Sequence, residues 1–250
     1  MKSKIKLSAS ALKYIAIVAM TIDHIAFAFV PINMVLYYIM RLFGRLTAPI
    51  MSFFISEGFI HTRNRKKYLL RLIIFAVISQ PFYFIMIFSR LPKNAFEFLT
   101  NLNVMFTLCL GLISLIIMSN KKILLPLKVI MTGVCFATAD LCDWSFIIPA
   151  WIMIFYFLRN DKVKRNVAFI SVSVVLLLLR FLPCYDSFLQ FSYQFGVLLS
   201  LIPMTFYNEK KRSEVEKNNR LTGKWLFYIY YPLHMASIIL ILNIDKIMFR

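Results

Sequence analysis

Apolar residues run through this chain in long blocks, with polar residues gathered between them. Nine blocks stand out, at about 11–31, 36–60, 68–89, 101–119, 122–139, 144–158, 167–183, 190–207 and 225–243. At 1.5 Å per residue, lengths of 15–25 residues give about 22–38 Å, which brackets the hydrocarbon core of a bilayer. Lipid offers a backbone amide no partner, so each block must close its own hydrogen bonds as a helix. Runs such as Leu176–Leu179 lack the alternation that a barrel strand requires. The pattern predicts an all-α, polytopic transmembrane bundle of about nine spans. Loops are short and no repeat is visible, so residues 1–250 read as a single integral membrane domain.

Composition agrees with the blocks. The chain is 60% hydrophobic and 16% charged, where soluble domains run near 45–50% and about 25%. A soluble fold of this size cannot hide that much apolar surface, and disorder is excluded for the same reason. The net charge of +18 would suit a nucleic-acid binder, but its distribution points elsewhere. With the N-terminus inside, the inner segments hold 22 Lys and Arg residues; the outer ones hold only Arg90, Lys93, Arg180, Lys246 and Arg250. That bias, renewed at every second loop, is the positive-inside pattern. It predicts a cytoplasmic N-terminus, an external C-terminus, a bacterial cytoplasmic membrane and anionic lipid as the partner of the basic loops, with no nucleic acid. Ala26-Phe27-Ala28 imitates a signal-peptidase site, yet Asp23 and His24 interrupt the preceding apolar run, so helix 1 is read as retained.

The remaining candidates are polar residues inside the blocks. An ionisable group in a span is costly and normally faces the bundle interior with a partner. Asp23, His24, Arg41, Arg45, Glu57 and His234 are such groups. Asp23 lies about 12 Å in from the outer end of helix 1, and Arg45 about 13 Å in along helix 2 from the same end. They therefore meet at one level, with Arg41 one turn further out on the same face. An Asp23–Arg45 pair, joined by Arg41, would neutralise charge. His24, about 100° round the helix from Asp23, is free to face a cavity. His234 follows Pro232 near mid-depth in the last block, with Tyr228, Tyr230 and Tyr231 beside it. Asn103, Thr107 and Gly111 form a small or polar stripe on helix 4, equally a packing seam, and Ser79-Gln80-Pro81 is a further polar break. At the cytosolic rim, Glu57 stands one turn before His61, and Arg63, Arg65, Lys66 and Lys67 follow as a basic cluster suited to phosphate groups. Cys142 and Cys184 both fall at outer ends, where a bridge or two free thiols are both compatible with the sequence. No CxxC, HExxH or GxSxG is present and no metal site is expected.

Four stretches resemble one family. They are Leu12-Lys13-Tyr14-Ile15-Ala16 through Met20-Thr21-Ile22-Asp23-His24; Met40-Arg41-Leu42-Phe43-Gly44-Arg45-Leu46-Thr47-Ala48-Pro49 through Ser56-Glu57-Gly58 to Leu72; Leu102-Asn103-Val104-Met105-Phe106-Thr107-Leu108; and Phe227-Tyr228-Ile229-Tyr230-Tyr231-Pro232-Leu233-His234. Together they resemble the TraX family of integral membrane acetyltransferases, whose founding member is needed to N-acetylate a conjugative pilin. The resemblance implies acetyl-CoA as co-substrate, taken from the cytosol, and an acceptor amine or hydroxyl at or across the membrane. On that footing His24 is the expected general base or acetyl carrier, with His234 the alternative base. Arg45, Asn103 or a tyrosine would stabilise the oxyanion, and Asp23 would fix Arg45 or the histidine tautomer. Arg63, Arg65, Lys66 and Lys67, with Arg41, Glu57 and His61, would attend the cofactor. A proton-coupled transporter and a non-enzymatic assembly factor for surface proteins are the competing expectations.

Overall fold

The computed structural model describes residues 7–181, 192–208 and 225–248; side chains are described up to 179 and 243 in the helices that close the first and last of these segments. Among them the regular structure is helical, with two isolated backbone bridges, Leu7 to Tyr207 and Leu102 to Cys142. The helices are α1 (Ala9–Phe29), α2 (Val35–Gly44), α3 (Thr47–His61), α4 (Arg65–Phe88), α5 (Ala95–Leu99), α6 (Val104–Ser119), α7 (Leu125–Ala139), α8 (Ile147–Phe157) and α9 (Lys162–Phe181). A mixed helix over Tyr193–Thr205 follows, then α10 (Leu226–Met248). The chain forms two compact units. The first contains residues up to Met51 and Ile170–His234; the second contains Ser52–Phe169 and the residues from Met235 onward.

Four described helices are long and apolar enough to cross a bilayer: Ala9–Phe29, Val35–His61, Arg65–Phe88 and Leu226–Asn243. Four more apolar helices are shorter, Val104–Ser119, Leu125–Ala139, Ile147–Phe157 and Tyr193–Thr205. The block expected at 36–60 is interrupted between α2 and α3, where Leu46 bonds back to the Phe43 carbonyl at 3.2 Å. Pro49 explains the break: it has no N–H for the carbonyl four residues earlier and its ring crowds that carbonyl. Of the block at 190–207, the described helix covers 13 residues, and eight of them, Tyr193–Ser200, are 3-10 helix. At about 2.0 Å per residue that stretch, with five α residues, still reaches about 24 Å. The sixth block contracts to α8, 11 residues, because Trp144 and Ser145 turn through left-handed conformations (φ 64° and 49°) just before it.

In the first unit, α1 buries Ala9, Leu12, Ala16, Ala19, Asp23 and Ala26, spaced three or four apart, with Met20 beside them. Small residues on that stripe let a neighbouring helix approach closely. Gly44 of α2 meets Asp23 there, and Gly196 lies against the Leu42 carbonyl. Thr47 donates to the Ala16 carbonyl at 3.1 Å, fixing the start of α3 on α1. In the second unit, α6 packs against α4, α7 and α8. Gly111 admits Ile152, and Trp151, Phe155 and Phe169 fill the interior. The outward residues are apolar too: Leu125, Val129, Ile130 and Val134 on α7 are all exposed. Such a face is stable in oil and costly in water.

Candidate functional site

Five of the sequence-predicted residues meet in the first unit. Asp23 is buried on α1. Arg41 Nη1 donates to its Oδ2 at 2.7 Å, and Arg45 Nη2 reaches Oδ1 at 3.2 Å and Oδ2 at 3.3 Å. The two arginines sit four residues apart at the end of α2, so one face of one turn delivers both. One carboxylate thus faces two guanidiniums. Aromatic rings surround the two arginines. Arg41 lies 5.6 Å from the Phe27 ring centroid, 5.8 Å from Tyr37 and 5.3 Å from Tyr193, and Arg45 lies 5.2 Å from Tyr193. Each ring face offers a cation partial negative charge without a second carboxylate.

His24, the next residue, points to a different partner. Its Nδ1 lies 2.6 Å from His234 Nε2. The two ring planes are inclined by only 3° with centroids 4.8 Å apart. That separation exceeds the N–N distance by about two ring radii, so the imidazoles meet edge to edge in a shared plane. His234 Nδ1 lies 2.9 Å from the Tyr230 carbonyl, one turn back on α10. The Tyr230 ring lies parallel to that of His234, at 5.2 Å. Its hydroxyl is 2.5 Å from Thr21 Oγ1, which itself donates to the Ile17 carbonyl at 2.8 Å. Thr21 has one proton and gives it to a carbonyl, so the tyrosine is the donor between them.

Asp23 therefore holds arginines, and the histidine ring is held by His234, not by Asp23 as the sequence also allowed. Arg41, expected at the cofactor, is engaged with Asp23 in this first unit. The other candidates belong to the second unit. Asn103 caps α6: its Oδ1 accepts from Met105 N at 2.9 Å, and its Nδ2 donates to Ala76 O and Gln80 Oε1, both at 2.8 Å. Both amide protons are committed, so this residue ties α4 to α6 and has no donor left for an oxyanion. Gln80 in turn serves Asn103 and the Asn101 carbonyl. Glu57 Oε2 and His61 Nε2 are 3.7 Å apart. Arg65 lies 4.0 Å from the Phe59 ring centroid, while Asn64 caps α4 by accepting from Lys67 N at 2.9 Å. Arg63 and Lys66 share this turn. Cys142 is a free, buried thiol, and Cys184 lies outside the described residues. No metal-holding group of His, Cys, Asp or Glu occurs among the described residues.

Thr21, Tyr37, Tyr193 and Gly44 escaped the sequence reading. Thr21 carried a usable signal, three residues before His24 on one helical face. Gly44 carried another, a glycine between two intramembrane arginines.

Comparison with known proteins adds two findings. The family model described as "TraX protein" matches residues 8–242. The chain is also 35% identical, over 241 residues, to the "Probable fimbrial assembly protein FimC, serogroup H1" of Dichelobacter nodosus, covering 94% of this chain and 96% of that one. No solved structure matches.

Proposed function

The chain belongs to the TraX family, and we propose that it is a membrane-embedded acetyltransferase. Cytosolic acetyl-CoA is the donor in this reading, and an amine or hydroxyl at or across the membrane is the acceptor. The observation that carries the reading is the imidazole pair, His24 and His234 at 2.6 Å, built beside a buried cluster of one carboxylate and two guanidiniums. A base and a fixed positive charge in a water-poor site are what acyl transfer needs.

In the proposed reaction the acceptor's nitrogen or oxygen attacks the thioester carbonyl carbon while its proton passes to His24. Negative charge gathers on the carbonyl oxygen and is met by Arg45 or Arg41. The carbon–sulfur bond then breaks, and the coenzyme A thiolate takes the proton back from the imidazolium, leaving free thiol and acetylated acceptor. Arg63, Arg65, Lys66 and Lys67 are the proposed phosphate contacts. The name of the Dichelobacter nodosus relative assigns it to fimbrial assembly, which makes the N-terminus of a pilin-like or secreted peptide the first acceptor to try.

The test is purified protein in lipid nanodiscs with radiolabelled acetyl-CoA and candidate peptides, followed by mass spectrometry of what becomes labelled. Wild type is expected to transfer the label and His24→Ala to lose it. Full transfer by a folded His24→Ala variant defeats the proposal.

A further inference from the structure

We infer that His234 is a positioning residue: it locks the tautomer of His24 so that Nε2, and not Nδ1, is the atom that takes the acceptor's proton. The inference rests on the acetyltransferase reading for its chemical meaning, but its geometry stands on hydrogen-bond counting alone.

A carbonyl oxygen only accepts, so the 2.9 Å contact to Tyr230 O places a proton on His234 Nδ1. In a neutral imidazole the other nitrogen then carries a lone pair and no proton. His234 Nε2 is therefore an acceptor, and the 2.6 Å contact requires His24 Nδ1 to be its donor. With Nδ1 protonated, the lone pair of neutral His24 sits on Nε2. Among the described residues no donor takes that nitrogen, and it is not a buried orphan. The chain of donors runs from His24 through His234 to a backbone carbonyl, which cannot itself titrate or rotate away.

The edge-to-edge geometry matters as well. Coplanar rings with Nδ1 aimed at Nε2 put the hydrogen bond along the lone pair, the direction in which it is strongest. When His24 Nε2 gains a proton, the same bond lets the positive charge spread towards His234 and the Tyr230 carbonyl. Asp23 cannot serve that purpose, since its oxygens already face Arg41 and Arg45. His234 thus has the orienting task that the sequence had offered to Asp23, and its own Nε2 is occupied, which removes it as the alternative base.

The test uses full-length protein with 15N-labelled histidine in nanodiscs. Comparing spectra with those of His61→Gln, which has two histidines, assigns the protonated and bare ring nitrogens, and turnover is measured with His61 in place. His24 is expected to be protonated at Nδ1 and bare at Nε2. His234→Leu removes the acceptor and should release His24 from that tautomer. His234→Gln, whose side-chain oxygen can take the place of Nε2, should keep it. Turnover should follow the tautomer, with kcat falling on the order of 10- to 100-fold in His234→Leu at little changed KM, the range for losing a group that orients a histidine. His234→Gln should stay within about threefold of wild type by the same reasoning. A His24 that is protonated at Nε2 in wild type, or that keeps its tautomer in a folded His234→Leu, overturns the inference. So does a tautomer change with unaltered turnover. If wild type transfers no acetyl at all, the enzyme reading fails, while the nitrogen spectra still decide the proton arrangement.

Discussion

Replacing Asp23 by Asn tests the charge arrangement most sharply. The carboxylate meets Arg41 at 2.7 Å and Arg45 at 3.2 Å. With an effective dielectric constant near 20, each contact is worth about 5–6 kcal/mol before desolvation is counted. The measured cost of removing one partner of a buried ion pair is smaller, about 3–5 kcal/mol, because the charged groups left behind relax. Asp23→Asn would leave two guanidiniums without the anion they share, so the upper half of that range is expected. Arg41→Met does the reverse. It brings the cluster to one carboxylate and one guanidinium and should cost only about 1.5–3 kcal/mol, the worth of one charged hydrogen bond. Equilibrium unfolding of both variants in mixed detergent, monitored by helical circular dichroism, gives the two values. If Arg41→Met is as damaging as Asp23→Asn, the idea that Asp23 is the anion both arginines share is wrong.

Other variants probe the surroundings. Gly44→Ala places a Cβ on Asp23 Cβ and Oδ1, so α1 and α2 must part at a cost of about 1–3 kcal/mol, read as a lowered Tm in nanodiscs. Asn103→Ala removes the α6 cap and the ties to Ala76 and Gln80, and should destabilise the protein by about 2 kcal/mol in the same unfolding assay. Between α4 and α6, Arg90 bonds Glu97 and holds its carboxyl at about 2, below the usual 4.5. A depressed carboxyl stabilises the fold fully above its unfolded value and loses that contribution as pH falls from 4.5 towards 2. Glu97 also accepts from the Lys93 amide at 2.7 Å. Hydrogen exchange at Lys93 should therefore lose protection across that window in wild type and show no such transition in Glu97→Gln.

The sequence carried the helical class and the meeting of Asp23 with the two arginines, since both follow from periodicity and rise per residue. Depth along two adjacent antiparallel helices is simple arithmetic, and the short link at residues 30–34 leaves little freedom of register. The His24–His234 contact lay beyond such arithmetic. Those residues are 210 apart, and nothing in the intervening chain states how the last helix is rotated against the first. Helix ends were also hidden. Pro49 was visible as a proline, but spacing alone does not say whether a proline kinks or divides its block. Asn103 looked like part of a polar stripe because spacing shows a face; the commitment of both amide protons shows only in three dimensions.

Thr21 meets Tyr230, and His24 meets His234. Both contacts advance in the same direction along each chain, by three residues on α1 and four on α10. Two rungs that advance together mean helices running parallel; antiparallel neighbours would pair a higher number with a lower one. If both helices cross the membrane, the chain must cross an odd number of times between them, and the total is odd. A total of nine meets the condition and an even total does not. The N- and C-termini are then expected on opposite sides, with the basic N-terminal segment inside. Single cysteines at Lys2 and Arg250, in a background without the four native ones, make this measurable with a maleimide that cannot cross lipid. In intact cells the label should reach position 250 and not position 2, and in inside-out vesicles the order should reverse. Labelling of both from one side would mean that α1 and α10 cannot both span in parallel, and the imidazole pair could not be built as described.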